Sequence, residues 1–275
     1  AYLKANYCAE FMACLISLES SDAEKMSFYL QEAKELGIDI LPPDINYSEK
    51  DFTVINNQLR FGLSGIKNVG TAAISNIQET LYEKTSDKKL FKDLFDFCKR
   101  VDLRVCNKKV IESLICSGAL DSLPGNRAQK FEELNKIIDL ALEKKKEELT
   151  GQMGLFDIFA KAKSKDEFAA TTYNFQLKEE WPDNIKLEKE KELLGIYISA
   201  QPLDSYKKEI KWAKVSNLSD LNNINEEKLI TCCGIVKSNR TITTKKGDPM
   251  AFILIEDYTS KAEIVVFPKL FNKVE

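Results

Sequence analysis

The sequence predicts a mainly α-helical chain followed by a partial all-β unit. Two patterns carry this expectation. Apolar residues recur at helical spacing through most of residues 1–150, with capping and stop residues between the periods. Near the end the pattern changes to three short apolar runs, 229–237, 251–257 and 261–267, separated by turn residues. A chain of 275 residues that is 44% hydrophobic is long enough for two or three small domains with real cores.

The opening stretch AYLKANYCAEFMACLISL gives a helix-like apolar face of Tyr2, Leu3, Ala5, Phe11, Met12 and Leu15. Ser21 or Asp22 can cap a second helix, with Met26, Tyr29, Leu30, Ala33 and Leu36 as its buried stripe and Gly37 as its end. Pro42 and Pro43 exclude helix, and FTVINNQLRFGL then alternates like a hairpin turning at Asn56-Asn57. A tight turn at Lys67-Asn68-Val69-Gly70 opens into a helix bearing Ala72, Ala73, Ile74 and Ile77. Asn107 caps KKVIESLICSG and Gly118 ends it. Through ALDSLPGNRAQ this helix joins the next one as a second, degenerate helix–turn–helix pair. From Arg127 a helix carries Phe131, Leu134, Ile137, Ile138, Ala141 and Leu142 on one side, and its end is expected to fray in the EKKKEE run, Glu143 to Glu148. Residues 160–185 read as a linker, and Leu187 to Leu194 as a short helix stopped by Gly195. The three terminal strands, the first two joined by a KKGDP loop, suit an OB-fold that binds single strands, with only part of its five-stranded barrel present.

Composition excludes several chemistries. The seven cysteines are scattered without a C-x-x-C pair, and there is no histidine, which argues against a zinc site, a disulfide framework and cysteine–histidine catalysis. Buried reduced thiols are the expected state. No apolar stretch is long enough to cross a bilayer, and the N-terminus does not read as a signal peptide. Net charge is −3, so any basic surface must be local. One such excess exists: residues 83–109 hold nine lysines and arginines against five acids.

The turn at 66–70 resembles the hairpin of a helix-hairpin-helix element, whose core reads hydrophobic, x, Gly, hydrophobic, Gly. Here the residues are Ile66, Lys67, Asn68, Val69 and Gly70, and asparagine tolerates the positive φ that the first glycine position requires. Small residues at a helix start expose backbone N–H groups that suit a phosphate oxygen, and Lys67 can add charge. Lys67, Asn68, Val69, Gly70 and Thr71 are therefore the candidate DNA-binding residues. A plain left-handed turn that starts a core helix is the alternative. A second candidate is GQMGLFDIF, residues 151–159, which sets large apolar groups between two highly charged segments. These either fold back onto a core or fill a pocket on another protein.

The order of AYLKANYCAEFMACL, ILPPDIN, LRFGLSGIKNVGTAAI, ESLICSGALDSL, GQMGLFD, LEKEKELLGIYISAQPLD and a strand-rich end resembles the C-family replicative polymerases, the bacterial DNA polymerase III alpha subunits, over essentially the whole chain. The resemblance implies a piece of a longer protein whose earlier part carries the palm with its catalytic aspartates. It implies the end of the fingers and a connector over 1–60, a tandem helix-hairpin-helix region that binds duplex DNA over 61–150, and a sliding-clamp-binding segment over 151–159. It further implies a linker and connecting helix over 160–228 and the incomplete start of an OB domain over 229–275. Gln152, Leu155 and Phe156 match the Q-x-x-L-F pattern that docks on the clamp. The implied partners are duplex DNA, single-stranded template, the sliding clamp (beta subunit) and other replisome subunits, in the cytoplasm and without a membrane. The parent is implied to be a DNA-directed DNA polymerase using Mg2+. This fragment holds no cofactor or metal site in that reading and is expected to be inactive alone, with no catalytic residue. Three positions depart from the family pattern: Cys8 for proline, Asn68 for glycine and Gln201 for the frequent histidine. A free-standing helix-hairpin-helix repair module, a tRNA-binding OB protein and a structural scaffold are the other readings of the same residues.

Overall fold

The computed structural model describes residues 2–82, 88–150, 173–223, 229–244 and 246–274. It divides into two units, Ala1–Ser199 and Ala200–Glu275.

In the first unit the opening stretch forms two helices, α1 (Tyr2–Asn6) and α2 (Cys8–Leu18), broken where Tyr7 leaves helical backbone at φ −135. The single apolar face expected from the sequence is corrected accordingly. Tyr2 and Leu3 are exposed, and α2 buries Ala9, Met12, Ala13 and Ile16. Cys8 takes the first helical position of α2, where a proline would also fit. Helix α3 (Ala23–Glu35) is capped by the Asp22 carboxylate, which accepts from the amides of Glu24 and Lys25. It buries Met26, Leu30 and Ala33, and Leu36 lies outside the core.

Strands β1 (Ile40–Leu41), β2 (Thr53–Ile55) and β3 (Gln58–Arg60) make a small sheet in the order β1-β3-β2. Strands β2 and β3 pair through a two-residue turn at Asn56 (φ 51) and Asn57 (φ 63), the mirror-image turn that matches strand twist. Asn46 fixes the next layer: its buried side-chain amide donates to the Phe91 carbonyl and accepts from the Phe91 amide.

Helices α4 (Thr71–Leu81), α5 (Leu94–Arg100), α6 (Lys108–Cys116) and α7 (Arg127–Thr150) complete the helical body. Asp93 caps α5 and Asn107 caps α6 through their side chains. Helix α7 does not fray at residues 143–148. The Lys145 ammonium donates to the Val101 carbonyl and Lys99 pairs with Glu148, so the charged run is held along α5. Contacts 44 and 49 residues apart supply what local propensity does not.

The linker expected over 160–185 is corrected for its described part. Residues 173–182 run extended along α7: Tyr173 donates its hydroxyl proton to Glu133, and Trp181 packs edge-on against Phe131 at 5.4 Å. Tyr173, Phe175 and Trp181 are the apolar anchors in this otherwise polar stretch. Helix α8 (Asp183–Leu194) buries Leu187, Leu193 and Leu194 and ends at Gly195, φ 79.

In the second unit, β4 (Ile235–Thr243), β5 (Pro249–Glu256) and β6 (Lys261–Val266) form an antiparallel meander after helix α9 (Lys207–Ala213). Helix α10 (Pro268–Val274) follows. Strand β4 begins later than the expected 229 and reaches to the 244–248 loop, closed by the Thr244 amide donating to the Asp248 carbonyl. The unit itself starts at Ala200, ahead of the strands, because Leu218 and Tyr258 tie the connecting turns to them. The Leu218 amide donates to Asp257, and the Tyr258 hydroxyl donates to Asp204.

Partial burial pushes the Asp257 carboxyl up, but hydrogen bonds from the amides of Leu218, Ser260 and Thr259 and from the Thr259 hydroxyl outweigh it and hold the group below its ordinary value. A folded value below the unfolded one stabilises fully above the ordinary carboxylate range and is lost as pH falls through the folded value. Thermal melts of Asp257→Asn should therefore differ from the parent at neutral pH and converge with it as pH falls through the lowered folded value of the carboxyl. A difference that persisted undiminished at acid pH would refute the linkage.

Candidate nucleic-acid interface

Ile66 and Val69 are buried on either side of the turn, and each such side chain contributes about 1.5–3 kcal/mol when fully removed from water. They fix the turn while Lys67, Asn68, Gly70 and Thr71 stay exposed. Asn68 has φ 69, the left-handed conformation. Its side-chain amide donates to Ser113 on α6 at 3.3 Å. The Lys67 amide donates to the Leu193 carbonyl at the end of α8, and the Val69 amide to the Ile66 carbonyl. Those two donors are spent inside the chain.

The start of α4 differs. Gly70 is its N-cap and carries no side chain to accept the first amides, whereas Asp22, Asp93 and Asn107 cap α3, α5 and α6. The Gly70 carbonyl accepts from Ala73 and Ile74, and among the described residues nothing accepts from the amides of Thr71 and Ala72. Exposed, unsatisfied amides at a helix start form a region of positive potential with room for an anion. Beneath it α4 buries Ala73, Ile74, Ile77 and Leu81. Asn76 accepts the Asp102 amide at 2.8 Å, coupling α4 to the turn before α6.

Much of the basic excess counted over 83–109 is spent on structure. Arg100 donates to the carbonyls of Thr80, Lys89 and Leu90, pairs with Asp96 and lies over the Phe91 ring. Arg104 pairs with Asp102, Lys108 with Glu112, Lys88 with Glu49 and Lys99 with Glu148. Sequence counting registers these charges but not their partners. Lys84 and the clamp candidates Gln152, Leu155 and Phe156 lie outside the described residues.

The second helix–turn–helix pair, α6 to α7, is built differently. Gly118 turns at φ 82, and a Cβ there would stand 2.3 Å from the Arg127 guanidinium, so the glycine makes room for that side chain. Arg127 forks onto Asp121 and faces the buried Glu190 at 3.8 Å. Lys130 is fully buried, with its ammonium on the carbonyls of Leu120 and Leu123, and burial pushes it down to about 8. The first amides of α7 are capped by Glu180, an acid some fifty residues away that no local pattern singles out. The one signal for it in the sequence is the aromatic spacing of 173–181 within a charged stretch.

Burial raises Cys98 to about 12 and Cys106 and Cys116 to about 11, which keeps these thiols protonated; Cys14 is exposed. Among the described residues no group of three His, Cys, Asp or Glu side chains is placed to hold a metal. No helix among them is long and apolar enough to cross a membrane.

Residues 37–130 match a family model described as the helix-hairpin-helix motif, which spans both turns. Over 275 residues the chain is 38% identical to the DNA polymerase III subunit alpha of Borreliella burgdorferi, covering 99% of this chain and 23% of that protein. The chain belongs to the DNA polymerase III alpha subunit family. The alpha subunits of Bacillus subtilis and Escherichia coli K12 are 39% and 31% identical over 279 and 276 residues, again all of this chain and 23% of theirs. It thus spans about a quarter of the length of the alpha subunits it matches. At the start of α4, inside the matched motif, the amides of Thr71 and Ala72 have no acceptor among the described residues.

Proposed function

We propose that this chain is the segment of a replicative DNA polymerase alpha subunit that holds duplex DNA behind the active site and docks the enzyme on the sliding clamp. The observation that carries the DNA reading is the uncapped N-terminus of α4 at Gly70, inside a matched helix-hairpin-helix motif. The amides of Thr71 and Ala72 bind a phosphate oxygen, Lys67 adds charge, and Asn68 and Val69 set the turn. Such contacts fix position on the duplex without reading bases. The polymerase chemistry, with its Mg2+, belongs to the longer protein, in the cytoplasm and among other replisome subunits.

The experiment is a duplex titration by fluorescence anisotropy at several salt concentrations. Binding should be weak, indifferent to sequence, and should weaken with salt with a log–log slope of roughly −2 to −3, the value for two or three neutralised phosphates. A salt-independent affinity, or one tied to a base sequence, would refute phosphate contact.

Gln152, Leu155 and Phe156 dock on the clamp in this reading, and the three-stranded unit contacts single-stranded template with Arg240, which lies over the Phe252 ring at 5.2 Å. Burying Leu155 and Phe156 yields roughly 3–6 kcal/mol gross, much of it offset by ordering the segment. The contact becomes effective because DNA binding makes it partly intramolecular. Replacing both with alanine should cost about 2 kcal/mol net, enough to take a weak contact below detection, with the melt unchanged. Gln152→Ala should cost only about 0.5–1.5 kcal/mol. A destabilised double variant that still held the clamp would sink the assignment.

A further inference from the structure

The two helix–turn–helix pairs of the first unit start their second helices in opposite electrostatic states. At α4 the first amides are open. At α7 the Arg127 amide donates to one Glu180 carboxylate oxygen at 3.0 Å and the Ala128 amide to the other at 3.1 Å. The same carboxylate accepts the Trp181 amide at 2.8 Å. An acid side chain thus sits where a phosphate would sit, with two planar oxygens on two adjacent amides.

The neighbouring contacts show that the seat is made for the segment carrying that acid. Gly125 holds φ 89, and a Cβ there would meet the Phe175 ring at 2.7 Å, so the ring covers the tip of the turn. Asn126, beside it, donates to the Lys178 carbonyl at 2.8 Å. Gln129, one turn further on, donates to the Gln176 carbonyl at 2.7 Å. Backbone, ring and carboxylate of residues 175–180 therefore all land on the turn and first helical turn that an external duplex would have to approach. The small polar cavity left beside them, about 290 Å3, is lined by charges of both signs, Asp121 and Glu180 against Arg127 and Lys186, and gives no net attraction for an anion.

We infer that the second hairpin is an internal latch: its anion seat is filled by Glu180, it fastens residues 173–182 to α7, and it is closed to DNA, so that phosphate contact falls to the first hairpin alone. The last clause rests on the duplex-binding reading above; the latch itself does not. The division follows from chemistry. A carboxylate tethered to the same chain is present at a high effective concentration and wins the seat from a weakly bound external phosphate. It also makes the segment after residue 172 part of the helical body rather than a spacer.

Hydrogen exchange on the full chain tests both halves. Without DNA, Glu180→Ala should speed exchange of the 173–182 amides about tenfold or more, the factor for losing charge-assisted hydrogen bonds, while residues 66–81 exchange as before. Should that variant fold poorly by circular dichroism, Glu180→Gln, which keeps the shape and loses the charge, should show the same local effect at smaller size. Unchanged exchange at 173–182 in a folded variant would overturn the latch. With a short duplex added to the unaltered chain, protection should appear at 67–73 and not at 125–130. Protection at 125–130 would overturn the closure of the second hairpin. If no duplex binds at all, the DNA reading of the first hairpin falls, and the Glu180 variants decide the latch by themselves.

Discussion

Replacing Arg127 with alanine should destabilise the first unit by about 3–5 kcal/mol, the range for removing one partner of a buried ion pair. The guanidinium donates Nε and Nη2 to Asp121 at 2.6–3.0 Å and Nη1 to the Cys116 carbonyl, and it is the cation that faces Glu190. Glu190 is 1% exposed and already accepts the amides of Ile198 and Ser199 and the Ser199 hydroxyl. Without Arg127 those donors remain, but the carboxylate loses its ion-pair partner, and the Lys34 ammonium, held on the Tyr197 carbonyl, is left as a more distant cation acting on it. Asp121 is half exposed and can return to water, so it adds little to the cost. The guanidinium also fills the space that Gly118 leaves open, so its loss creates a void as well. The melting temperature should fall by roughly 10 °C. Arg127→Lys should recover only part of this, because one ammonium cannot serve Asp121, the carbonyl and Glu190 together. A loss under about 1 kcal/mol in urea unfolding would mean that the amides alone hold Glu190.

This cluster also shows where sequence reading reaches and where it stops. Features governed by adjacent residues were legible. Asn56-Asn57 forms the hairpin turn, Asp22 and Asn107 cap their helices, and Gly37, Gly118 and Gly195 take positive φ at helix ends. Asn68 takes the positive φ that its position in the motif requires. Features set by distant partners were not. The break at Tyr7 leaves Tyr2 and Leu3 exposed despite an unbroken helical period in the sequence. The run at 143–148 stays helical because Lys145 and Glu148 find partners on and beside α5. Arg100 and Arg104 count as surface charge in the sequence and are paired in the fold. At the candidate interface the sequence singles out the turn, but nothing in it says that the Lys67 amide is taken by Leu193 while the α4 amides remain open.

Gly70 offers the sharpest test of the interface because stability and binding should move in opposite directions. Its backbone, φ −76 and ψ 159, is open to any residue, and a Cβ there would meet nothing within 4 Å. Neither conformation nor packing inside the chain requires a glycine. An aspartate at this N-cap position can accept the amides that glycine leaves open and place a negative charge at the positive end of the helix. Gly70→Asp should therefore stabilise the chain by about 0.5–1 kcal/mol. The same carboxylate would occupy the phosphate seat and repel what remains of the approaching charge. Losing two charge-assisted hydrogen bonds at about 1.5 kcal/mol each lowers duplex affinity roughly a hundredfold. Gly70→Leu separates the two contributions: it adds bulk without charge or cap, so affinity should fall while stability stays level or declines slightly. Both variants can be read from one thermal scan and one anisotropy titration at low salt. If Gly70→Asp raised the melting temperature and left duplex affinity intact, the amides of α4 would be open without being the phosphate site, and the DNA contact would have to be sought elsewhere on the chain.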